Sequence, residues 1–300
     1  MNNRILLSFL SAIFSVVYVC QVYSQDGLKV YISADMEGIS GVVHRDQTVA
    51  EGSDYNMARS WFTQEVNSAI QGAIDAGAKE IIVNDSHGSM RNILPHELNP
   101  VAKLITGSPK PLSMMEGFDK TFDAVFFIGY HARAGSKDGV LDHTYSGSII
   151  YSVKMNGVEV GESEINAAIA GLFGVPVVLV TGDKTVCEQV KNSIDKNIVT
   201  VDVKESIGRY AGKTITPSEA QKKIREMAKV ALQNRKNIKP YVLNPPYQFD
   251  IEFLYSEHAD NAELIPDVKR TGSRSVTFVQ NDLLKGFRLF RAILLVARPG

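Results

Sequence analysis

The chain has 300 residues, 44% of them hydrophobic and 22% charged, with a formal net charge of −1. That is enough chain for one large core or two modest ones. The balanced charge excludes the broad cationic footprint of a nucleic-acid binder, and no run of like charges marks a tail.

The first element is an export segment. Arg4 precedes an almost wholly apolar run from Ile5 to Cys20, and Val22 and Ser24 place small residues just before Gln25. This pattern predicts a secretory signal peptide over residues 1–24, and hence a periplasmic or secreted protein with no stable membrane insertion once the segment is cut. The run is short for a spanning anchor, and Val17-Tyr18-Val19 is a poor lipobox for Cys20. Cleavage leaves Cys187 as the one cysteine, so an intrachain disulfide is excluded and the core must supply the stability.

From residue 28 strands and helices alternate. Lys29 to Ala34 reads as a short apolar strand. Ala58, Trp61, Phe62, Val66, Ala69, Ile70, Ala73 and Ile74 recur at three- and four-residue steps and predict a helix over 54–76, which Gly77 ends. Strands follow at 79–84, 124–129 and 175–181, with a helix at 161–171. Apolar strands separated by helices predict an α/β fold with a mainly parallel sheet flanked by helices.

The last third has a different texture. Thr216-Pro217-Ser218-Glu219 is a capping box with proline at the first helical position. Residues 236–246 carry three prolines and read as a linker. Strands with alternating polarity follow at 248–254 and 275–280, and an apolar helix closes the chain at 282–297. The expected division is a catalytic, metal-binding α/β domain over 25–215 and a smaller α+β portion over 216–300.

Polar residues gather where the strands stop. Strand one ends at Asp35 and Glu37, strand two at Asp85-Ser86-His87, strand three at Tyr130-His131. Ligands of open parallel sheets bind at the carboxyl ends of the strands. If the backbone stays extended through Met36, Asp35 and Glu37 project to one side and can grip a shared ion. Each residue also has a plainer reading: Asp35 as a cap, Glu37 as a solvated acid, His87 as a turn brace, His131 as a core histidine. Their convergence on one edge favours a metal site, and imidazole with carboxylate suits zinc, with manganese or iron as alternatives. Glu162 opens the helix at 161–171, where an acid is already favoured by the helix dipole. His143 follows His131 after the loop RAGSKDG and is placed as an acid or base beside the ligands. His44, His96 and His258 lack such a context and are expected on the surface.

The segments SADMEGISG, VNDSHGSM, FIGYHARAG and VGESEINAAIAG, in this order, resemble the DppA-type D-aminopeptidases, the M55 metallopeptidases. The likeness runs from about Lys29 to the C-terminus. It implies two zinc ions per subunit, with Asp35 bridging both and Glu37, His87, His131 and Glu162 completing the ligand set. It implies a catalytic, nucleophile-like role for His143, a short peptide substrate with an N-terminal D-residue, and assembly into a homo-oligomer, a ring-shaped decamer. Tyr130 and Arg133 flank His131 and are expected either to orient ligands or a substrate carboxylate, or to be packing and surface residues. The rival classes are an exported metal- or peptide-binding protein without catalysis and a serine hydrolase built on Ser86 and His87. The second lacks a GxSxG elbow around Ser86.

Overall fold

A computed structural model describes residues 27–298 of the protein. The expected signal peptide lies outside the described residues, and among these no helix is long and apolar enough to cross a membrane.

The first strand, β1 (Leu28–Ala34), is buried along its last five residues, as an interior strand covered on both faces must be. Helix α1 (Tyr55–Asp75) buries Ala58, Phe62, Val66, Ala69, Ile70 and Ala73, the stripe that the three- and four-residue spacing demands. Gly77, at φ +96°, takes the left-handed turn that returns the chain to the sheet. Next come β2 (Ala78–Asp85), β3 (Ala102–Ile105) and the fully buried β4 (Ala124–Tyr130). They are followed by β5 (Ile150–Met155), β6 (Val158–Glu159), α2 (Glu162–Leu172), β7 (Val177–Asp183) and α3 (Lys184–Ser193). The chain continues through β8 (Val199–Gly208), β9 (Ala211–Thr214) and α4 (Pro217–Gln233), where the Thr216 hydroxyl accepts from the Glu219 amide, one half of the expected capping box. It ends with β10 (Tyr247–Phe253), α5 (Ser256–Ala262), β11 (Lys269–Arg270), β12 (Ser275–Gln280) and α6 (Leu283–Val296).

Two sheets result. The larger has the order β3-β2-β1-β4-β7-β8-β9 and is parallel except for β9. The smaller is antiparallel, in the order β11-β12-β10-β5-β6. The fold is thus mixed α/β with a mostly parallel sheet, as the alternating pattern predicts. The change of texture near residue 216 does not coincide with a change of sheet. β5 and β6, from before that point, complete the antiparallel sheet, and α4, from after it, packs on α1 and on β7 and β8. The antiparallel sheet draws on both sides of residue 216 because β5 and β10 pair from Phe249↔Met155 onward, a contact that no local pattern encodes.

What matters for the site is where the chain reverses direction across the large sheet. β1 is flanked by β2 on one side and by β4 on the other, with Ala34 opposite Asp85 and Ile128. The carboxyl ends of these three strands therefore open onto one crevice, the usual place for a ligand in such sheets.

Candidate metal centre

After β1 the chain does not stay extended. Asp35 still donates its amide to Ile128 O at 2.8 Å, but Glu37 sits in a turn whose Gly38 amide reaches Gly129 O at 2.7 Å. This close approach of two backbones needs glycine on both sides. A Cβ on Gly38 would lie 1.8 Å from Tyr130 O, and one on Gly129, at φ +71°, would lie 2.1 Å from Asp35 O. Asp35 and Glu37 still face the same point, so the expected shared side holds, by a turn and not by an extended strand. The turn is pinned from below by Lys204 of β8, which is buried. Its ammonium donates to the carbonyls of Glu37, Ile39 and Val42.

His87 is held by the loop after β2. The buried Asp85 carboxylate accepts from the Asn92 and Ile93 amides, and the Asn92 side chain donates to His87 O at 2.6 Å. Asp85 thus fastens the loop and does not itself face the cluster. His87 Nε2 donates to Thr48 O at 2.7 Å, which leaves Nδ1 3.2 Å from Asp35 Oδ1 and 2.8 Å from Glu37 Oε2. His131 follows β4. Its Nδ1 donates to Ala132 O at 2.9 Å, and its Nε2 lies 3.4 Å from both Asp35 Oδ2 and Glu162 Oε2.

The loop after His131 does fold back. Ala134 and Gly135 donate their amides to Thr144 Oγ1 and Asp142 Oδ2, and the rings of His131 and His143 stack with centroids 4.0 Å apart. His143 Nδ1 donates to Leu141 O at 2.9 Å, so its Nε2 faces Glu162 Oε1 at 3.7 Å. Glu162 is the first residue of α2, and its Oε1 also accepts the Tyr145 amide at 2.6 Å. All six residues named from the sequence are therefore gathered in one place, and each imidazole has one ring nitrogen committed to a backbone carbonyl.

The electrostatics follow from crowding. Burial, and then the neighbouring Glu37 carboxylate, raise the Asp35 pKa. Burial also works against ionising Glu37 and Glu162, but the facing histidines outweigh it and hold both below the ordinary glutamate range. Burial likewise disfavours charge on His87 and His131, yet the carboxylates raise both well above a normal histidine. Three buried carboxylates thus demand positive charge among them. Protons on the histidines can supply it, and so can a divalent cation. His131 Nε2 is buried without a hydrogen-bond partner, and the backbone-anchored tautomers leave a lone pair on each imidazole directed at the acids, as metal-ligating histidines have. The donor set of imidazole nitrogens and carboxylate oxygens fits zinc.

The M55 peptidase family, described as D-aminopeptidase, matches residues 28–292. The chain belongs to this family. A D-aminopeptidase of Bacillus subtilis strain 168 is 40% identical over 268 residues, which is 87% of this chain and 94% of that protein. A solved structure described as the Zn-dependent D-aminopeptidase DppA from Bacillus subtilis, a self-compartmentalizing protease, superposes with a TM-score of 0.87 at 35% identity, over 90% of this chain and 98% of that one. The fold is therefore that of the M55 family, and the polar cluster lies at the strand ends of that fold.

One histidine departs from its sequence expectation. His258 is buried, with Nδ1 2.7 Å from Ala297 O, where it holds the end of α6 against α5. His44 and His96 are exposed, as expected. Tyr130 and Arg133 do not face the cluster. The Tyr130 hydroxyl bonds to Ser33 and Asn166 beneath it, and Arg133 pairs with Glu159 at 3.7 Å. The Ser86 hydroxyl bonds to Ser33 Oγ and backbone carbonyls, while both His87 nitrogens are engaged elsewhere, so the pair has no nucleophile–base geometry. Sequence reasoning missed Thr48 O, the Tyr145 amide and Lys204. The first two act through the backbone, where side-chain identity carries no signal.

Proposed function

We propose that this protein is a zinc-dependent aminopeptidase that removes an N-terminal D-amino acid, D-alanine foremost, from short peptides. One observation carries the reading. Three carboxylates and three histidines converge, and every histidine is anchored through one nitrogen to a backbone carbonyl. The naming of both relatives as D-aminopeptidases supports it.

Asp35, Glu37, His87, His131 and Glu162 would hold two zinc ions, and the two oxygens of Asp35 face different histidines of this set. Bound zinc supplies Lewis acidity, which polarises a carbonyl and makes water a stronger acid. The chain's own work is orientation and proton handling. Thr48 O and Ala132 O fix the imidazole tautomers, and Lys204 fixes the Glu37 turn. His143 stands beside this set, with its Nδ1–H held by Leu141 O. Its Nε2 is then free to take the proton of the attacking water and to return it to the leaving amine. Stacking on His131 keeps that nitrogen aimed at the cluster.

The export segment read over residues 1–24 supports a location outside the cytoplasm, where peptides from cell-wall cross-links are available. A ring-shaped homo-oligomer, a decamer, accords with the description of the DppA structure as self-compartmentalizing. N-terminal sequencing of the native protein tests the first of these: a mature chain beginning near Gln25 is expected, and an intact Met1 overturns export by cleavage.

The activity test is hydrolysis of matched D-Ala and L-Ala dipeptides by protein of measured zinc content. Cleavage of the D-series that is lost with a chelator and restored by zinc is expected. Zinc-loaded protein that binds peptide and cleaves neither series is instead a binding module.

A further inference from the structure

The cluster opens into two cavities. One, of 460 Å³, runs past Arg45, Tyr55, His87, His143 and Arg209. Its Arg209 is already committed, with Nε 2.9 Å from Asp142 Oδ1 and a second nitrogen on Asp142 O. The other, of 320 Å³, is lined by Asp35, Glu37, His87, His143 and Glu162 of the cluster together with Arg291 and Arg298. The chain thus builds a small cavity whose lining holds both buried acids and arginines.

Arg291 belongs to α6, the closing helix. Phe287 and Phe290 of that helix pack edge-on against Tyr145, with ring centroids 5.9 and 5.3 Å away. The Arg291 guanidinium lies over the same ring at 5.3 Å. Tyr145 is itself fixed at both ends, by its amide on Glu162 and its hydroxyl on Asn166. Arg291 is therefore half-buried and held in register with the cluster through one rigid ring. Among the described residues it has no carboxylate partner, and it faces the cavity. A planar guanidinium stacked on an aromatic ring and facing a cavity is organised to receive a carboxylate in a two-point contact.

We infer that Arg291 is a specificity-determining residue that binds the free C-terminal carboxylate of the peptide, with Arg298 as a second cation lining the same cavity. The inference rests on the aminopeptidase reading and deepens it. The ligand is a zwitterion, with its α-amine toward the acids and its carboxylate toward Arg291. The cavity, at 320 Å³, is at the small end of the range for ligand sites, so its volume restricts substrates to very short free peptides. Longer peptides and C-terminal amides lack a carboxylate at that position.

The test compares D-Ala-D-Ala with its C-terminal amide, in wild type and in Arg291→Met, which keeps an apolar stem over Tyr145. Wild type is expected to favour the free acid through KM, and Arg291→Met to lose about 10- to 100-fold in kcat/KM on the acid alone. The amide rate, zinc content and melting temperature should not move, and Arg291→Lys should recover part of the loss. Equal rates of wild type on acid and amide, or a parallel loss of both in Arg291→Met, overturn the proposal and leave the aminopeptidase reading standing. Calorimetric binding of the same two ligands to zinc-loaded protein separates the converse case. Acid-selective binding that requires Arg291, without hydrolysis, keeps the carboxylate site and sinks the peptidase. Binding of neither ligand overturns both.

Discussion

His143 is the residue on which chemistry and mere metal binding part. Its Nε2 lies 3.7 Å from Glu162 Oε1, and the set His131, His143 and Glu162 is itself close enough to hold an ion. As a proton carrier, His143→Ala should lower kcat by about 10²- to 10⁴-fold and leave zinc content intact. His143→Asn should give the same loss with a smaller cavity beside His131. Zinc analysis of either variant checks the division of roles, because a drop in bound metal makes His143 a ligand. Asp35 is the opposite case. Its oxygens face His87 and His131 separately, so Asp35→Ala should strip both ions, whereas His87→Ala or His131→Ala should each loosen mainly one. Protons and metal also compete for the same nitrogens: the carboxylates raise the pKa of both histidines. Zinc affinity should therefore fall as pH falls, measurable as metal release into a chromogenic chelator during acid titration.

At the scale of elements, the Glu37 turn is gripped between α1 and β8. Glu65 of α1 accepts the Ser40 amide at 2.8 Å, and Lys204 of β8 gathers three carbonyls of the same turn. Burial pushes Lys204 down to about 8 and pushes Glu65 up, from 4.5 to about 7. A carboxyl whose folded pKa is raised stabilises the fold fully below its unfolded value, and that contribution is lost as pH rises through the folded value. For Glu65 the window runs from about 4.5 to about 7. Glu65→Gln removes the titration while keeping an acceptor for Ser40. Its unfolding free energy, relative to wild type, should climb between pH 5 and pH 8 by roughly 3 kcal/mol at most. Urea denaturation across that range checks it, and a flat difference curve contradicts the buried-acid account. Lys204→Met tests the other grip. It removes the three donors, so zinc should bind more weakly while the fold, built on the surrounding sheet, persists by circular dichroism.

At the scale of the molecule, the two sheets are interleaved along the chain, since β5 and β6 join β10 and β12 while α4 returns to the large sheet. Severing the chain near residue 216 should therefore not release an independently folded N-terminal piece, because a fragment ending there lacks α4, β10 and α6. Limited proteolysis in that region should give fragments that stay associated until denatured. The homo-oligomer proposed above is tested at this scale. Light scattering should report a particle far above the 33.0 kDa of one chain. A monomer at that mass would overturn the ring.

Much of this protein is written in local patterns. A strand buried on both faces must be continuously apolar, and a half-buried helix must repeat its apolar residues every three or four positions, so β1, β2, β4, α1, α4 and α6 are readable one at a time. The same patterns locate the strand ends, and therefore the edge where Asp35, Glu37, His87 and His131 collect. Short elements with few apolar repeats escape such reading. The alternation of β5 spans only Ile150–Met155, and α3 buries little beyond Val186, Cys187 and Val190. Glu162 and His143 are legible by family resemblance, but their distances to the other ligands are set by loops folding back across the crevice. The turn at Glu37, the burial of His258 and Lys204, and the seat of Arg291 beside the site are decided by tertiary structure alone. Each depends on partners between 39 and 167 residues away or on another element entirely. Backbone carbonyls and amides do the fixing there, and every residue type carries those groups alike.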